Sequence, residues 1–139
     1  MAYDPTNIFA RILRGEIPCH KVYEDDDTIA FMDIMPQSEG HTLVLPKAEG
    51  ENIFDLPADA LAATIRTTQK VAAAVSRAFN PPGVMIAQLN GPAAGQTVFH
   101  LHFHVVPRYS GADLRMHAGE PADPAVLAAH AERIRAQLE

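Results

Sequence analysis

Apolar residues recur along this chain with two periods, and the switches between them mark out its elements. Ile8, Phe9, Ile12 and Leu13 are spaced for one face of a short helix that runs from Asn7 to Arg14 and stops at Gly15. Lys21 to Glu24 and Thr28 to Asp33 read as two strands, separated by Asp25 to Asp27, an acidic run better explained as a solvated turn than as a metal site. After the loop Pro36 to Gly40, Thr42 to Pro46 is a short apolar strand ended by proline. From about Pro57 to Phe79, the set Leu61, Ile65, Thr68, Ala72, Val75 and Phe79 alternates steps of four and three, the stripe of a long amphipathic helix. Asp55 and Asp59 suit the positive end of its dipole, and Asn80-Pro81-Pro82-Gly83 stops it. Val84 to Leu89 and Val98 to Val106 are further strands, expected to pair antiparallel across the turn-forming stretch from Asn90 to Gly95. Ala125 to Leu138 closes the chain as a helix. Strands, then a helix, then strands predict an α+β fold: an antiparallel sheet of about five strands with a short N-terminal, a long central and a C-terminal helix.

The 139 residues, 47% of them hydrophobic, can bury a core without disulfides or a structural metal. Residues 1–110 are expected to form one domain, and 111–139 an extension whose terminal helix packs on that domain or on a dimer partner. Cys19 is the single cysteine, so no intrachain disulfide can form and a reducing compartment is the simpler expectation. Met1 to Phe9 lacks the basic and apolar regions of a secretory signal, and no apolar run approaches the roughly 20 residues that span a bilayer. A cytoplasmic chain that does not engage a membrane is expected. The net charge of −6 argues against a broad nucleic-acid surface and leaves room for a local pocket that takes one small anion.

Three of the seven histidines lie within five residues, at His100, His102 and His104. In a strand of period two they share one face, while Phe99, Leu101, Phe103 and Val105 occupy the other and suit a core. The histidine face is then expected to look toward a cleft or solvent. His20, His117 and His130, being isolated, read as ordinary structural histidines. Spacing alone leaves the three open to two chemistries, nucleophilic catalysis or zinc ligation by neutral imidazoles.

The stretch from Asn90 to Arg108 closely resembles the histidine-triad (HIT) nucleotide-binding family, whose signature is three histidines alternating with apolar residues. Asn7 to Ile12, Glu16 to Pro18, Phe31 to Ile34 and Gly40 to Lys47 also look like family segments in the family's order, so the resemblance covers about Asn7 to Tyr109. It implies a homodimer whose sheets join, with a purine nucleotide beside the triad of each subunit. By the same resemblance His102 attacks the α-phosphorus, His104 donates to the phosphoryl oxygens, and His100 and His41 order the local hydrogen bonds. Asp33 would hold the ribose hydroxyls, and Ile8, Phe9, Ile12, Phe31 and Ile34 would line the base pocket, although plain core packing explains these apolar residues as well. Asn90, Gly95, Gln96 and Thr97 match phosphate-contacting positions, and the hairpin turn also calls for such residues. A nucleotidyl-histidine would form and be hydrolysed by water, without a cofactor.

Some bacterial relatives carry a structural zinc held by a Cys-x-x-Cys pair, a later histidine and the first triad histidine. Here Asn7, Ala10 and Glu49 occupy the first three places and only His100 survives, so no metal is expected. Asp33 is typical of the phosphoramidase-like Hint branch, whereas Gly91 to Val98 resembles the dinucleoside polyphosphate hydrolases of the Fhit branch. Leu89 stands where that second branch has a glutamine. The chain lacks tryptophan, hence the tryptophan-containing tail of many phosphoramidases, and Arg115-Met116-His117 is only faintly similar to it. The expected activity is hydrolysis of purine nucleoside phosphoramidates or related conjugates. The alternatives are a dinucleoside polyphosphate hydrolase and, in another class, a nucleotide-binding regulatory protein with incidental turnover.

Overall fold

Alternate residues of two central strands feed two different cores, and this decides the architecture. In the computed structural model, which describes residues 3–110 and 121–138, the elements run α1 (Ile8–Leu13), β1 (Lys21–Glu24), β2 (Thr28–Met32), β3 (Thr42–Pro46), α2 (Ala58–Phe79), β4 (Gly83–Gln88), β5 (Phe103–Arg108) and α3 (Pro124–Arg135). The strands form one antiparallel sheet in the order β1-β2-β3-β5-β4, the α+β arrangement that the pattern predicts. Ala30, Met32, Val44 and Val105 face α2 and α3, packing on Val71, Val75, Leu127 and Ile134. Ile29, Phe31, Leu43 and Leu45 face the other way and meet Phe9 and Ile12 of α1. Both β2 and β3 are therefore buried along their whole length, as in sheets covered on both sides. The six-residue α1 covers only part of its face, which leaves a recess beside it.

The long helix has the predicted span but a rotated buried face. Thr64, Thr67, Thr68, Val71, Ala74 and Val75 are inside, whereas Ile65 is 47% exposed. Counting apolar residues misplaced the stripe because threonines carry the buried side. Thr64 and Thr68 donate their hydroxyls to the carbonyls of Ala60 and Thr64, and Thr67 pairs with Thr28 at 2.7 Å. Ile65 and Ala72 are left on a flank beside Ile86 of β4.

The histidine strand differs from expectation more usefully. It starts at Phe103, not Val98, so only His104 stands in the sheet, opposite Leu43 on one side and Ala87 on the other. The ladder to β3 ends at the Phe103–Val44 pair, two residues short of Pro46, which has no N–H to give. Imidazoles take the carbonyls that a longer ladder would use: His100 donates to the Pro46 oxygen and His102 to the His100 oxygen. α3, capped by Asp123, packs on α2, β1 and β2 of its own chain, and Arg133 lies 4.3 Å from the Phe79 ring. The Arg115-Met116-His117 similarity falls outside the described residues.

Candidate active site

A pocket of about 280 Å³ opens where α1 leaves the sheet uncovered. Ile8, Phe9, Ile12 and Phe31 form its apolar end, with Ile34 at the rim. The exposure of Ile8 at 41% and Ile34 at 51% leaves apolar surface at the mouth, whereas Phe9 and Phe31 are buried in the core behind it. Asp33, Gly95, Thr97, His102 and His104 complete the wall. Ile17, Pro18, Cys19, Leu43, Leu89 and Val98 also line it; no periodic signal singled these out, because the pocket gathers them from loops and strand ends.

Hydrogen bonds fix the proton on each imidazole. A backbone carbonyl can only accept, so the 2.7 Å contact of His102 Nδ1 with the His100 oxygen puts the proton on Nδ1 and leaves a lone pair on Nε2. The backbone N–H of Gln37 donates to His41 Nδ1 at 3.0 Å, so the His41 proton is on Nε2, from which it is donated to His104 Nδ1 at 3.0 Å. His104 must then carry its own proton on Nε2. The pocket wall thus holds one imidazole nitrogen able to attack and one able to donate, on rings 4.9 Å apart. Phe9 meets His102 edge-on at 4.8 Å and braces it. Gly40 lets the segment that carries His41 into β3 pass beneath Phe79, since a Cβ there would meet that ring at 2.9 Å at a φ of +88°.

Asp33, His41 and His104 bring three ligand-type atoms within 4.8 Å of one another. His41 Nε2 carries the proton given to His104 and lies 3.5 Å from an Asp33 carboxylate oxygen, so His41 links the other two through one hydrogen bond and one longer polar contact. His100 and His41 are wholly buried and stand behind the pocket, not on its wall, which corrects the expectation that all three triad rings share one open face. Gln96 is also turned inward. Its amide donates to the carbonyls of Glu51 and Val98 and accepts from Gly91 N–H, and its own N–H goes to Gly91 O, so it shapes the loop from within. The Asn90 side-chain amide oxygen accepts from Ile53 N–H and Gln88 Nε2, which ties the loop to the turn that precedes α2. Gly95, at φ 102°, and Thr97 remain on the pocket side.

Burial dominates the ionisation of the site. It pushes His102 down to about 4 and His41 down to about 3, with neighbouring histidines adding to both, and it lowers His104 and His100 as well. Burial also raises Asp33 to about 6, against the Met35 N–H that its carboxylate accepts. The unfolded chain therefore binds more protons than the folded one on the histidines between about pH 3 and pH 6.5, and their contribution to stability is lost as pH falls through that window. Asp33 acts oppositely, binding its proton more tightly when folded and losing that contribution as pH rises through its folded value of about 6. Four histidines outweigh one carboxylate, so the melting temperature should fall from pH 7 to pH 5. His102→Asn should flatten that fall in thermal scans, whereas an identical slope would mean that His102 titrates normally.

The chain matches the HIT domain family over residues 14–111. A HIT-like protein of Bartonella henselae, described as involved in cell-cycle regulation, superposes with a TM-score of 0.92 at 48% identity, covering 99% of this chain and 100% of that one. A histidine triad family protein of Mycobacterium smegmatis, solved with zinc bound, gives 0.83 at 34% identity, covering 95% and 92%. An adenylylsulfatase of Arabidopsis thaliana is 37% identical over 101 residues, 73% of this chain and 51% of the relative.

Proposed function

The chain belongs to the HIT domain family of nucleotide-binding hydrolases, and on that footing we propose that it cleaves purine nucleoside phosphoramidates or related nucleotidyl conjugates at the α-phosphorus. The observation that carries this reading is the pair of complementary tautomers on the pocket wall: a free lone pair on His102 Nε2 and an N–H on His104 Nε2. His102 Nε2 forms a bond to phosphorus as the bond to the leaving group breaks, and the departing amine takes up a proton from solvent water, a proton returned when a second water hydrolyses the intermediate. His104 donates to the phosphoryl oxygens as their charge grows. Water then attacks the nucleotidyl-histidine, releases the nucleoside monophosphate and restores the imidazole. Asp33 accepts from the ribose hydroxyls, and the apolar end beside Phe9 and Phe31 takes the purine. Gly95 and Thr97 are the loop residues suited to reach the phosphate.

An adenylylsulfatase among the relatives supports a nucleotidyl conjugate with a compact leaving group, whereas the loop Gly91 to Thr97 keeps dinucleoside polyphosphates as a second reading. Leu89 on the pocket wall offers no polar group to a longer phosphate chain, which favours the first. A panel of adenosine phosphoramidate, adenylyl sulfate and a diadenosine polyphosphate separates them. The first two should show the higher kcat/KM. If nucleotides bind tightly and no conjugate is hydrolysed, a regulatory nucleotide-binding role replaces the enzymatic one.

The exposed flank of α2 supports a homodimer. β4 is an edge strand on which Val84 and Ile86 are 36% and 43% exposed, next to the exposed Ile65. A second copy docked edge to edge would cover all three. Ile65→Asp is expected to shift the sedimentation velocity from dimer to monomer; an unmoved dimer peak would place the interface elsewhere.

A further inference from the structure

The hydrolytic scheme leaves His100 without a direct task, yet it is fully buried and both its ring nitrogens are engaged. Nε2 lies 2.8 Å from the Pro46 carbonyl, an acceptor only, so the proton is there and Nδ1 must accept. Its donor is the Tyr3 hydroxyl at 2.6 Å, from a residue at the far end of the sequence, whose ring meets the imidazole edge-on at 5.7 Å. The segment that delivers Tyr3 is itself held. Asp4 accepts from Thr6 through its side chain and from Asn7 through its carbonyl, and Asn7 caps α1.

The zinc-bound relative raises the question of whether a metal could do this work here. The residues do not fit one. With Nε2 committed to Pro46, only Nδ1 of His100 could ligate, and it is used. The Asn7 amide is spent on Ala10 N–H and the Asp4 carbonyl, Ala10 has no donor atom, and Glu49 alone would remain, on the surface.

We propose that Tyr3 is a positioning residue of the hydrolytic site, its hydroxyl holding His100 where a metal ion would otherwise do so and thereby aiming the carbonyl that orients His102. The proposal rests on His102 being the nucleophile. The chain of contacts is continuous: the Tyr3 hydroxyl fixes the His100 ring, the ring anchors the backbone to Pro46, and the His100 carbonyl holds the His102 proton on Nδ1. Removing the first link lets the ring rotate or exchange its proton, and the lone pair on His102 Nε2 is then correctly aimed for less of the time.

Tyr3→Phe keeps the ring and deletes the hydroxyl. On a nucleotidyl conjugate, kcat should fall about three- to tenfold, the range that one hydrogen bond supports, with KM unchanged. The ¹⁵N resonance of His100 Nδ1 should move toward that of an imine nitrogen without a donor, and added zinc should restore neither the resonance nor kcat. Wild-type kcat with an unmoved resonance would overturn the proposal, as would a loss confined to KM or stoichiometric zinc in the wild-type protein. The resonance is read without turnover, so it tests the latch even if His102→Ala remains active and the hydrolytic reading fails.

Discussion

Replacing His102 with alanine is expected to lower kcat by about three orders of magnitude or more while nucleoside monophosphate binding persists. The magnitude follows from what is lost: a buried lone pair, held neutral by a folded value of about 4 and aimed by the His100 carbonyl. Binding survives because the apolar end around Ile8, Ile12 and Phe31 does not depend on the imidazole. Steady-state turnover and equilibrium titration on one preparation check both halves. A variant that hydrolyses at the wild-type rate would show that the nucleophile is another group or water itself.

His104→Ala is expected to cost about a hundredfold in kcat, with a smaller rise in KM. The His104 proton sits on Nε2 because His41, fixed by the Gln37 N–H, donates to Nδ1, so this donor is oriented before substrate arrives. Such a donor acts most on the charge that grows in the transition state, hence the larger effect on kcat. His104→Asn, which keeps an N–H on a shorter side chain, should recover part of the loss. Equal changes in kcat and KM for both variants would mean that His104 binds the ground state only.

Much of this site was legible in the sequence because its chemistry is carried by residue types at short spacing. His102 and His104, Asp33 and the apolar set Ile8, Phe9, Ile12 and Phe31 converge on one pocket. What could not be read is set by contacts between distant segments. The proton positions depend on Gln37, Pro46 and the His100 carbonyl, and Tyr3 reaches His100 across 97 residues. The buried face of α2 was misplaced for a related reason, since a threonine is apolar enough to bury only when its hydroxyl finds a carbonyl or a partner, as Thr64 and Thr67 do. The short β5 reflects a competition that period-two counting does not register, in which imidazoles rather than backbone N–H groups take the carbonyls of Pro46 and His100.

The most direct test is intact-mass analysis of the protein quenched during turnover of a nucleoside phosphoramidate. An added nucleoside monophosphate, acid-labile and mapped by peptide sequencing to His102, is the predicted result; an unmodified chain at full turnover, or an adduct on any other residue, would contradict it.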